Sequence, residues 1–396
     1  MTARQLRWVA VSVLVLASTL NYLDRMLLSA LMPTLRTEFG IGGAELGNIV
    51  AAFSLTYALS SPVMGLLIDR IGLRWGASTV VGLWSMVGLS TGLTSTLTGL
   101  IFCRGALGLA ESGGIPATGK GSAVYLEPRD RALGSAVSQI GITLGMMAAP
   151  VLTEVLAVRY GWRSAFVAAG ALGFLWIPLW LFTSKRVPPV HVETDPVRVP
   201  YTDMLRNRGF QALVLANVLA MTVYSLWTNW TTEFLVTGYG LTQQDANLHF
   251  AWIPPVFATL GGLFGGFAAQ RLIHGGASVT AMRLRIALVA SVFIAVTAAA
   301  PIAGSPALAT ACICVSLFAL VSLSVNYYSI PLDLFGADRA ASAVAVLTGT
   351  YGLMQFVISP QIGRWLDKAG WQPVCTAVAF MPLLSALLLK AAFRRA

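Results

Sequence analysis

The chain is a succession of long apolar stretches separated by short polar segments. Each apolar stretch is about 20 residues long, which is the length that a helix needs to cross the hydrocarbon core of a bilayer. The pattern therefore predicts an all-α integral membrane protein with twelve transmembrane helices. The predicted spans are 8–31, 44–68, 75–94, 97–121, 133–157, 163–183, 209–235, 246–270, 280–301, 305–331, 341–363 and 371–393.

The overall composition favours a membrane protein over a soluble one. Hydrophobic residues make up 56% of the chain and charged residues only 11%, whereas soluble domains are about 25% charged. The first apolar stretch is longer than the apolar part of a signal peptide and lacks a small-residue cleavage site. We therefore expect it to remain in the protein as the first span.

One long polar segment, residues 184–208, divides the twelve spans into six and six. Its prolines and mixed charges predict a cytoplasmic linker with at most a short surface helix. The predicted domains are an N-terminal six-helix bundle at 1–183 and a C-terminal six-helix bundle at 209–396. Two pseudo-symmetric bundles around a central cytoplasmic loop are typical of secondary transporters.

The formal net charge of +10 would suggest a nucleic-acid partner in a soluble protein. Here most basic residues lie in the even-numbered loops and in the two tails, and the opposite side carries only Arg36, Arg159, Arg163, Arg364 and Lys368. This asymmetry follows the positive-inside rule and predicts that both termini are cytoplasmic. No nucleic-acid partner is expected.

Two charged residues, Asp24 and Arg25, lie side by side within span 1, where ionisable groups are costly and usually functional. Neighbours on a helix point about 100° apart, so each needs a different partner. Asn21 and Arg25 are four residues apart and Tyr22 lies three before Arg25, which predicts a polar stripe facing a cavity. The guanidinium of Arg25 suits bidentate binding of a substrate carboxylate; a structural ion pair between helices is the alternative.

Span 4 carries a second charged pair, Arg104 and Glu111, on one helix face and roughly 10 Å apart along the axis. A glutamate in a low-dielectric site near an arginine can change its protonation near neutral pH, as a proton-coupled symporter requires. Arg104 lies nearer the end of its span, where a gating or structural pairing is as plausible as substrate binding.

The helix interiors of the second half carry almost no charge, so we expect them to offer hydrogen bonds. Hydroxyl and amide side chains recur at helical spacing there, and they would suit a polyhydroxylated substrate. Each of them could instead join helices to one another. The candidates for substrate binding are Tyr224 on span 7, Asn326 and Tyr327 on span 10, Gln355 on span 11 and, from the first half, Gln139 on span 5.

The four cysteines and three histidines do not form a metal-binding pattern, and no nucleophile–base set or cofactor loop is evident. The cysteines fall within or at the ends of apolar spans, as small buried hydrophobic residues do. We therefore expect no metal, no cofactor and no enzymatic activity.

The loop after span 2 reads GLLIDRIGLRWG, residues 65–76. It resembles the signature loop of the major facilitator superfamily, with Leu73 in place of the usual basic residue. The matching positions are Gly65, Asp69, Arg70, Gly72 and Arg74. We expect Asp69 to accept hydrogen bonds from a helix N-terminus or from basic residues and to latch the cytoplasmic side, with Arg70 and Arg74 beside it. A solvated turn is the alternative.

Three further stretches, NYLDR at 21–25, RGALGLAESGGIP at 104–116 and YGWRSAF at 160–166, resemble the anion:cation symporter branch of that superfamily. The branch includes bacterial hexuronate, galactonate and glucarate transporters. The resemblance implies that the acids at positions 24 and 111 serve proton coupling. Gln270 departs from the branch, whose members often carry an acid there.

These observations predict proton-coupled uptake of a small organic anion, a sugar acid of the hexuronate or hexonate class. The expected partners are protons, a small carboxylate and lipid, and the expected location of the protein, a monomer, is a bacterial inner membrane. A monocarboxylate or dicarboxylate carrier, a uniporter and a non-transporting membrane receptor remain open. An organophosphate antiporter is disfavoured because span 7 has no arginine.

Overall fold

The computed structural model describes residues 3–127, 130–188, 201–274, 279–335 and 337–394. Within these ranges the regular structure is helical, and a short π-helix (Asn247–Ala251) and a 3₁₀ segment (Ala295–Ile302) accompany the α-helices. The α-helices are α1 (Ala3–Phe39), α2 (Gly43–Gly92), α3 (Leu97–Glu111), α4 (Gly114–Tyr125), α5 (Arg131–Tyr160), α6 (Arg163–Arg186), α7 (Tyr201–Arg206), α8 (Arg208–Tyr239), α9 (Gln243–Ala246), α10 (Ile253–His274), α11 (Val279–Ile294), α12 (Pro306–Tyr327), α13 (Ile330–Phe335), α14 (Ala337–Ala369), α15 (Trp371–Ala379) and α16 (Met381–Arg394).

All twelve predicted spans fall on helices, although their boundaries differ. Ten helical segments among the described residues are long and apolar enough to cross a membrane. One of them, α2, contains spans 2 and 3, and its helical geometry is interrupted at Gly72, where φ is 81° and ψ is 156°. Span 4 is divided into α3 and α4, each of which is short. Of the predicted linker, 201–206 form the short helix α7, and 189–200 lie outside the described residues.

The chain divides into two compact units. One comprises Met1–Ile41, Asn48–Thr194 and Gln243–Trp252, and the other comprises Gly42–Gly47, Asp195–Thr242 and Ile253–Ala396. Each unit therefore includes a short segment whose helix continues in the other unit. We call Gly42–Gly47 and Gln243–Trp252 the exchanged segments.

The core of the first unit is built around two tryptophans of α6. The rings of Trp176 and Trp180 stack with their centroids 5.7 Å apart. Their indole N–H groups donate to the carbonyl oxygens of Val13 and Arg74, at 2.6 and 3.0 Å. A buried tryptophan usually needs such a partner for its N–H. These bonds tie α6 to α1 and to α2.

In the second unit, α10 and α12 approach closely through glycines of α10. A Cβ atom built on Gly265 would lie 2.6 Å from the Cα and carbonyl oxygen of Ser322. Ser322 in turn donates from its hydroxyl to the carbonyl of Gly261, at 2.6 Å. Small residues four apart permit this kind of backbone contact between membrane helices.

Replacing Gly265 with alanine should destabilise the second unit by about 1–3 kcal/mol, because the added methyl group would force α10 away from α12. The matched control is Gly266→Ala, since a Cβ atom there has no neighbour within 4 Å. Thermal unfolding in detergent would compare the two variants. Equal melting temperatures would show that the α10–α12 contact does not limit stability.

Candidate functional site: a buried charge cluster in the first unit

A buried ion pair joins span 1 to span 4. Arg25 on α1 donates from Nε and Nη2 to the same oxygen of Glu111, Oε2, with both distances 3.3 Å. Glu111 is the last residue of α3 and its side chain is fully buried, whereas 19% of the Arg25 side chain is exposed. The arginine therefore offers part of its surface to a ligand while its other edge contacts a carboxylate that solvent does not reach.

Asp24 and Arg104 are two further charged residues that the same two helices bury. Each is only 2% exposed. Asp24 Oδ1 and Arg104 Nε and Nη2 make no hydrogen bond within the described part of the chain. Of the two neighbours on span 1, Arg25 therefore contacts Glu111, whereas the Asp24 carboxylate keeps an unpaired oxygen among the described residues.

Three aromatic rings enclose the guanidinium of Arg25. Its Cζ atom lies 4.7, 4.8 and 4.7 Å from the ring centroids of Tyr22, Phe53 and Tyr57. Cation–π attraction holds the planar group between these rings. The N–H bonds of a guanidinium point outward in its plane. Hydrogen-bond acceptors can therefore reach Arg25 only at the edge of the group.

Span 4 breaks directly after Glu111. Gly113 packs against Val80, and Pro116 has no N–H to donate to the carbonyl of Ser112, so the helix cannot continue regularly. The break leaves α4 beginning beside Asn21, whose Nδ2 would lie 3.3 Å from a Cβ atom on Gly114.

Several buried polar atoms of this cluster have no hydrogen-bond partner in the described structure. They include an amide donor, Asn21 Nδ2, and two carboxylate oxygens, Asp24 Oδ1 and Glu111 Oε1. Buried polar atoms are normally paired. The unpaired oxygens can each accept a proton, and the unpaired amide can donate to an anion.

The signature loop is held by a residue that the sequence analysis did not single out. Lys120 on α4 donates from Nζ to Asp69 Oδ1 at 2.7 Å and to the carbonyl of Ile68 at 3.2 Å. Arg70 is exposed, and Arg74 lies over the ring of Trp75. Asp69 thus accepts from a basic residue of a neighbouring helix, one of the two partner types expected for it.

The polar candidates of the second unit have varied surroundings. Tyr224 on α8 packs edge-on against Tyr351 on α14, with ring centroids 6.1 Å apart. Gln355 is largely buried. From the first unit, Gln139 is exposed on α5.

Asn326 and Tyr327 take part in helix packing inside the second unit. The amide of Asn326 donates to the carbonyls of Ser322 and Gly265, at 2.8 and 3.3 Å. The hydroxyl of Tyr327 lies 2.9 Å from Ser385 Oγ. These contacts match the alternative that the sequence left open, in which such residues join helices to one another.

The sequence analysis did not single out two buried acids, Glu154 and Glu233, or two aromatic residues that contact Arg25, Phe53 and Tyr57. Glu154 and Glu233 are 4% and 1% exposed in spans 5 and 7, and as single acids within apolar stretches they were visible in the sequence. Glu233 is one of the few charges that the helix interiors of the second half carry. Phe53 and Tyr57, four residues apart on one face of α2, carried no signal that they would surround Arg25.

Comparisons with known proteins show which family and which transporters the chain is similar to. Residues 14–359 match the profile of the Major Facilitator Superfamily. The chain is 28% identical over 405 residues to the hexuronate transporter of Escherichia coli K12, covering 97% of this chain and 93% of that protein. It is 29% identical over 280 residues to the galacturonate transporter of Dickeya chrysanthemi, covering 66% and 81%.

A solved structure shares the same fold. It is a bacterial homologue of the human lysosomal transporter Spinster in an inward-facing, occupied conformation, with a TM-score of 0.78, 19% identity, and coverage of 98% of this chain and 97% of that one. The all-α membrane fold and the family resemblance predicted from the signature loop are confirmed. The chain belongs to the Major Facilitator Superfamily.

Proposed function

We propose that the protein imports a sugar acid, of the hexuronate or hexonate class, together with protons across a bacterial inner membrane. The observation that carries the proposal is the buried pair of Arg25 and Glu111, in which a partly exposed arginine contacts a fully buried acid. The sugar-acid class is supported by the relatives, a hexuronate transporter and a galacturonate transporter.

Arg25 binds the substrate carboxylate in this mechanism. The rings of Tyr22, Phe53 and Tyr57 occupy positions over the guanidinium, so the carboxylate approaches its edge. Glu111 already accepts from Nε and Nη2 there. Substrate and ionised Glu111 therefore compete for the same donors, and each charge-assisted hydrogen bond is worth about 1.5–3 kcal/mol.

Protonation of Glu111 resolves that competition. A neutral Glu111 holds Arg25 more weakly, which frees Nη2 for the substrate and leaves the positive charge of Arg25 to be balanced by the substrate carboxylate. Asp24, beside Arg104, is the second proton carrier. When the protons leave toward the more alkaline interior, ionised Glu111 takes back the donors of Arg25 and the substrate is released.

Coupling follows only if substrate and protons together favour the conformational change that neither favours alone. Asn21, Tyr224, Gln139 and Gln355 remain the candidates for binding the sugar hydroxyls, whereas Asn326 and Tyr327 join helices of the second unit. Asp69, with Lys120, and the neighbouring Arg70 and Arg74 are assigned to gating on the cytoplasmic side. Both termini lie in the cytoplasm, and the protein works as a monomer.

The direct test is proton movement in liposomes that contain the purified protein. D-Galacturonate, D-glucuronate and D-galactonate would be added in turn, with lactate and succinate as the rival substrate classes. Alkalinisation of the medium on adding one sugar acid is the expected result. Exchange of a sugar acid without proton movement would replace the symporter with a uniporter. Movement with only lactate or succinate would overturn the substrate class.

A further inference from the structure

The segment YGWRSAF, residues 160–166, lies at the end of the first unit opposite the signature loop, which is the outer end in the proposed topology. Arg163 at the start of α6 donates from Nε to the carbonyl of Thr94 and from Nη1 to Glu38 Oε1, both at 3.1 Å. The side chains of Arg163 and Glu38 are 37% and 41% exposed. These bonds join α6 to the end of α1 and to the turn between α2 and α3, at a surface that faces water.

Trp162 is packed between Arg163 and two phenylalanines. The Cζ atom of Arg163 lies 4.3 Å from its ring centroid, and the rings of Phe39 and Phe166 meet it edge-on, at centroid distances of 6.2 and 5.9 Å. Although Trp162 is only 5% exposed, its indole N–H makes no hydrogen bond within the described part of the chain. A buried tryptophan usually pairs this group. The ring is therefore held in place by packing rather than by a hydrogen bond.

Phe166 continues the aromatic packing towards the interior of the first unit. It is only 1% exposed, and the Cζ atom of Arg104 on α3 lies 5.7 Å from its ring centroid. Arg104 is itself 2% exposed. The side chains of Phe39, Trp162, Phe166 and Arg104 thus form a continuous column of contacts that leads from the water-facing end to a buried charge.

Asp24 lies on the inner side of Phe166. Phe166 and Gly170 are four residues apart on one face of α6, and Gly170 is the further of the two from the outer end. A Cβ atom built on Gly88 of α2 would lie 3.4 Å from Asp24 Oδ2 and 3.5 Å from the Cα atom of Gly170. Asp24 is therefore close to α2 and α6, which approach it with glycines, whereas α3 contributes the charge of Arg104 to this region.

α2 and α6 make close backbone contact on both sides of this position. A Cβ atom on Gly170 would lie 2.6 Å from the carbonyl oxygen of Ser85. One on Gly92 would lie 2.6 Å from Val167 Cγ2 and 3.0 Å from the carbonyl oxygen of Arg163. Small residues permit such an approach between membrane helices. The contact leaves no room for water between α2 and α6, and the rings of Trp162 and Phe166 fill space between Asp24 and the outer end.

We propose that Trp162 and Phe166 form an aromatic plug, which keeps external water and protons away from Asp24. The acid then exchanges protons only through the substrate cavity. This rests on the proposed function, in which Asp24 is the second proton carrier. Apolar constrictions exclude water and ions by dewetting, and a site closed to water prevents proton leakage. A direct route to Asp24 would dissipate the proton gradient, because a proton that used it would carry no sugar acid.

Silver-ion labelling tests the plug without any substrate. Asp24→Cys would be made in a protein whose four native cysteines are replaced by alanine, and the rate at which Ag⁺ protects the new thiol from later alkylation would be measured in detergent. Adding Phe166→Ala should speed labelling by about tenfold or more, because water and small ions then reach position 24. Trp162→Ala should act in the same direction, and it replaces Phe166→Ala if that variant misfolds. The control is Phe102→Ala, whose native side chain is 77% exposed on α3.

Proton entry into liposomes tests what the plug protects. With potassium inside, valinomycin present and no sugar acid, Phe166→Ala should admit protons about tenfold faster than wild type. Adding Asp24→Asn should remove this leak, because the acid that relays the proton is lost and the positive charge of Arg104 remains. Trp162→Phe, which keeps an aromatic ring but has no indole N–H, should be as tight as wild type.

The outcomes distinguish the plug from the proposed function. Unchanged silver labelling in both alanine variants, with the proteins folded, would overturn the plug. Faster labelling without a proton leak would support the plug and contradict the role of Asp24 as a proton carrier. A leak that survives Asp24→Asn would show that protons bypass this acid, and it would overturn the proposal that the plug protects it.

Discussion

Arg25→Lys should lower D-galacturonate uptake by about 100-fold or more, although the positive charge is kept. A lysine ammonium is a point charge without the planar fork that binds a carboxylate through two parallel hydrogen bonds. It also cannot stack flat among the rings of Tyr22, Phe53 and Tyr57, which surround the guanidinium at 4.7–4.8 Å. Initial uptake rates in proteoliposomes would measure the loss.

The matched control for this substitution is Arg159→Lys, since Arg159 is exposed at the end of α5. That variant should transport at the wild-type rate. Detergent melting curves would establish that both variants are folded. If Arg25→Lys retained more than a tenth of the wild-type rate, Arg25 would be a structural partner of Glu111 and the substrate carboxylate would bind elsewhere.

Glu111→Gln should abolish proton-driven accumulation but preserve exchange of labelled for unlabelled substrate. Glutamine has the shape of a protonated glutamate and cannot ionise, so it should leave Arg25 permanently available to the substrate. A pH difference of about one unit is worth about 1.4 kcal/mol per proton and supports about tenfold accumulation. That accumulation should vanish in the variant, and its exchange rate should depend on pH only through Asp24.

Asp24→Asn distinguishes the two acids. If Asp24 also carries a proton, the variant should accumulate substrate less than wild type while exchange survives.

Exchange lost in Glu111→Gln, with the protein folded, would contradict the competition between Glu111 and substrate for Arg25. Accumulation retained in Glu111→Gln would move the coupling site to another residue.

Helical geometry was enough to predict that Asp24 and Arg25 need different partners, but it did not identify those partners or their surroundings. The 100° separation of Asp24 and Arg25 and the seven-residue spacing of Arg104 and Glu111 placed two charged pairs on two helices, and the contact of Arg25 with Glu111 became evident only in the structure. The aromatic enclosure of Arg25 depends on how α2 packs against α1, which no local pattern encodes. The number of spans was predictable because it follows from the number and length of the apolar stretches alone.

Polar spacing in the second half could not distinguish a ligand-binding face from a helix-packing face. Asn326 and Tyr327 recur at helical positions either way, and their contacts with Gly265 and Ser385 became evident only with neighbouring helices in place. Similarly, the hydrogen bonds of Glu154 and Asp367 join residues that are far apart in sequence. Glu154 and Asn247 are separated by 93 residues and Asp367 and Gly43 by 324.

The broken fourth span also constrains how the protein is made. A charged side chain at the centre of an inserting helix costs about 2.5–3.5 kcal/mol, and α3 carries both Arg104 and Glu111 in only 15 residues. The partners of these charges emerge from the ribosome much earlier, since Arg25 precedes Glu111 by 86 residues. We therefore expect that neutralising Asp24 and Arg25 together would impair membrane insertion of α3, a segment synthesised long after them.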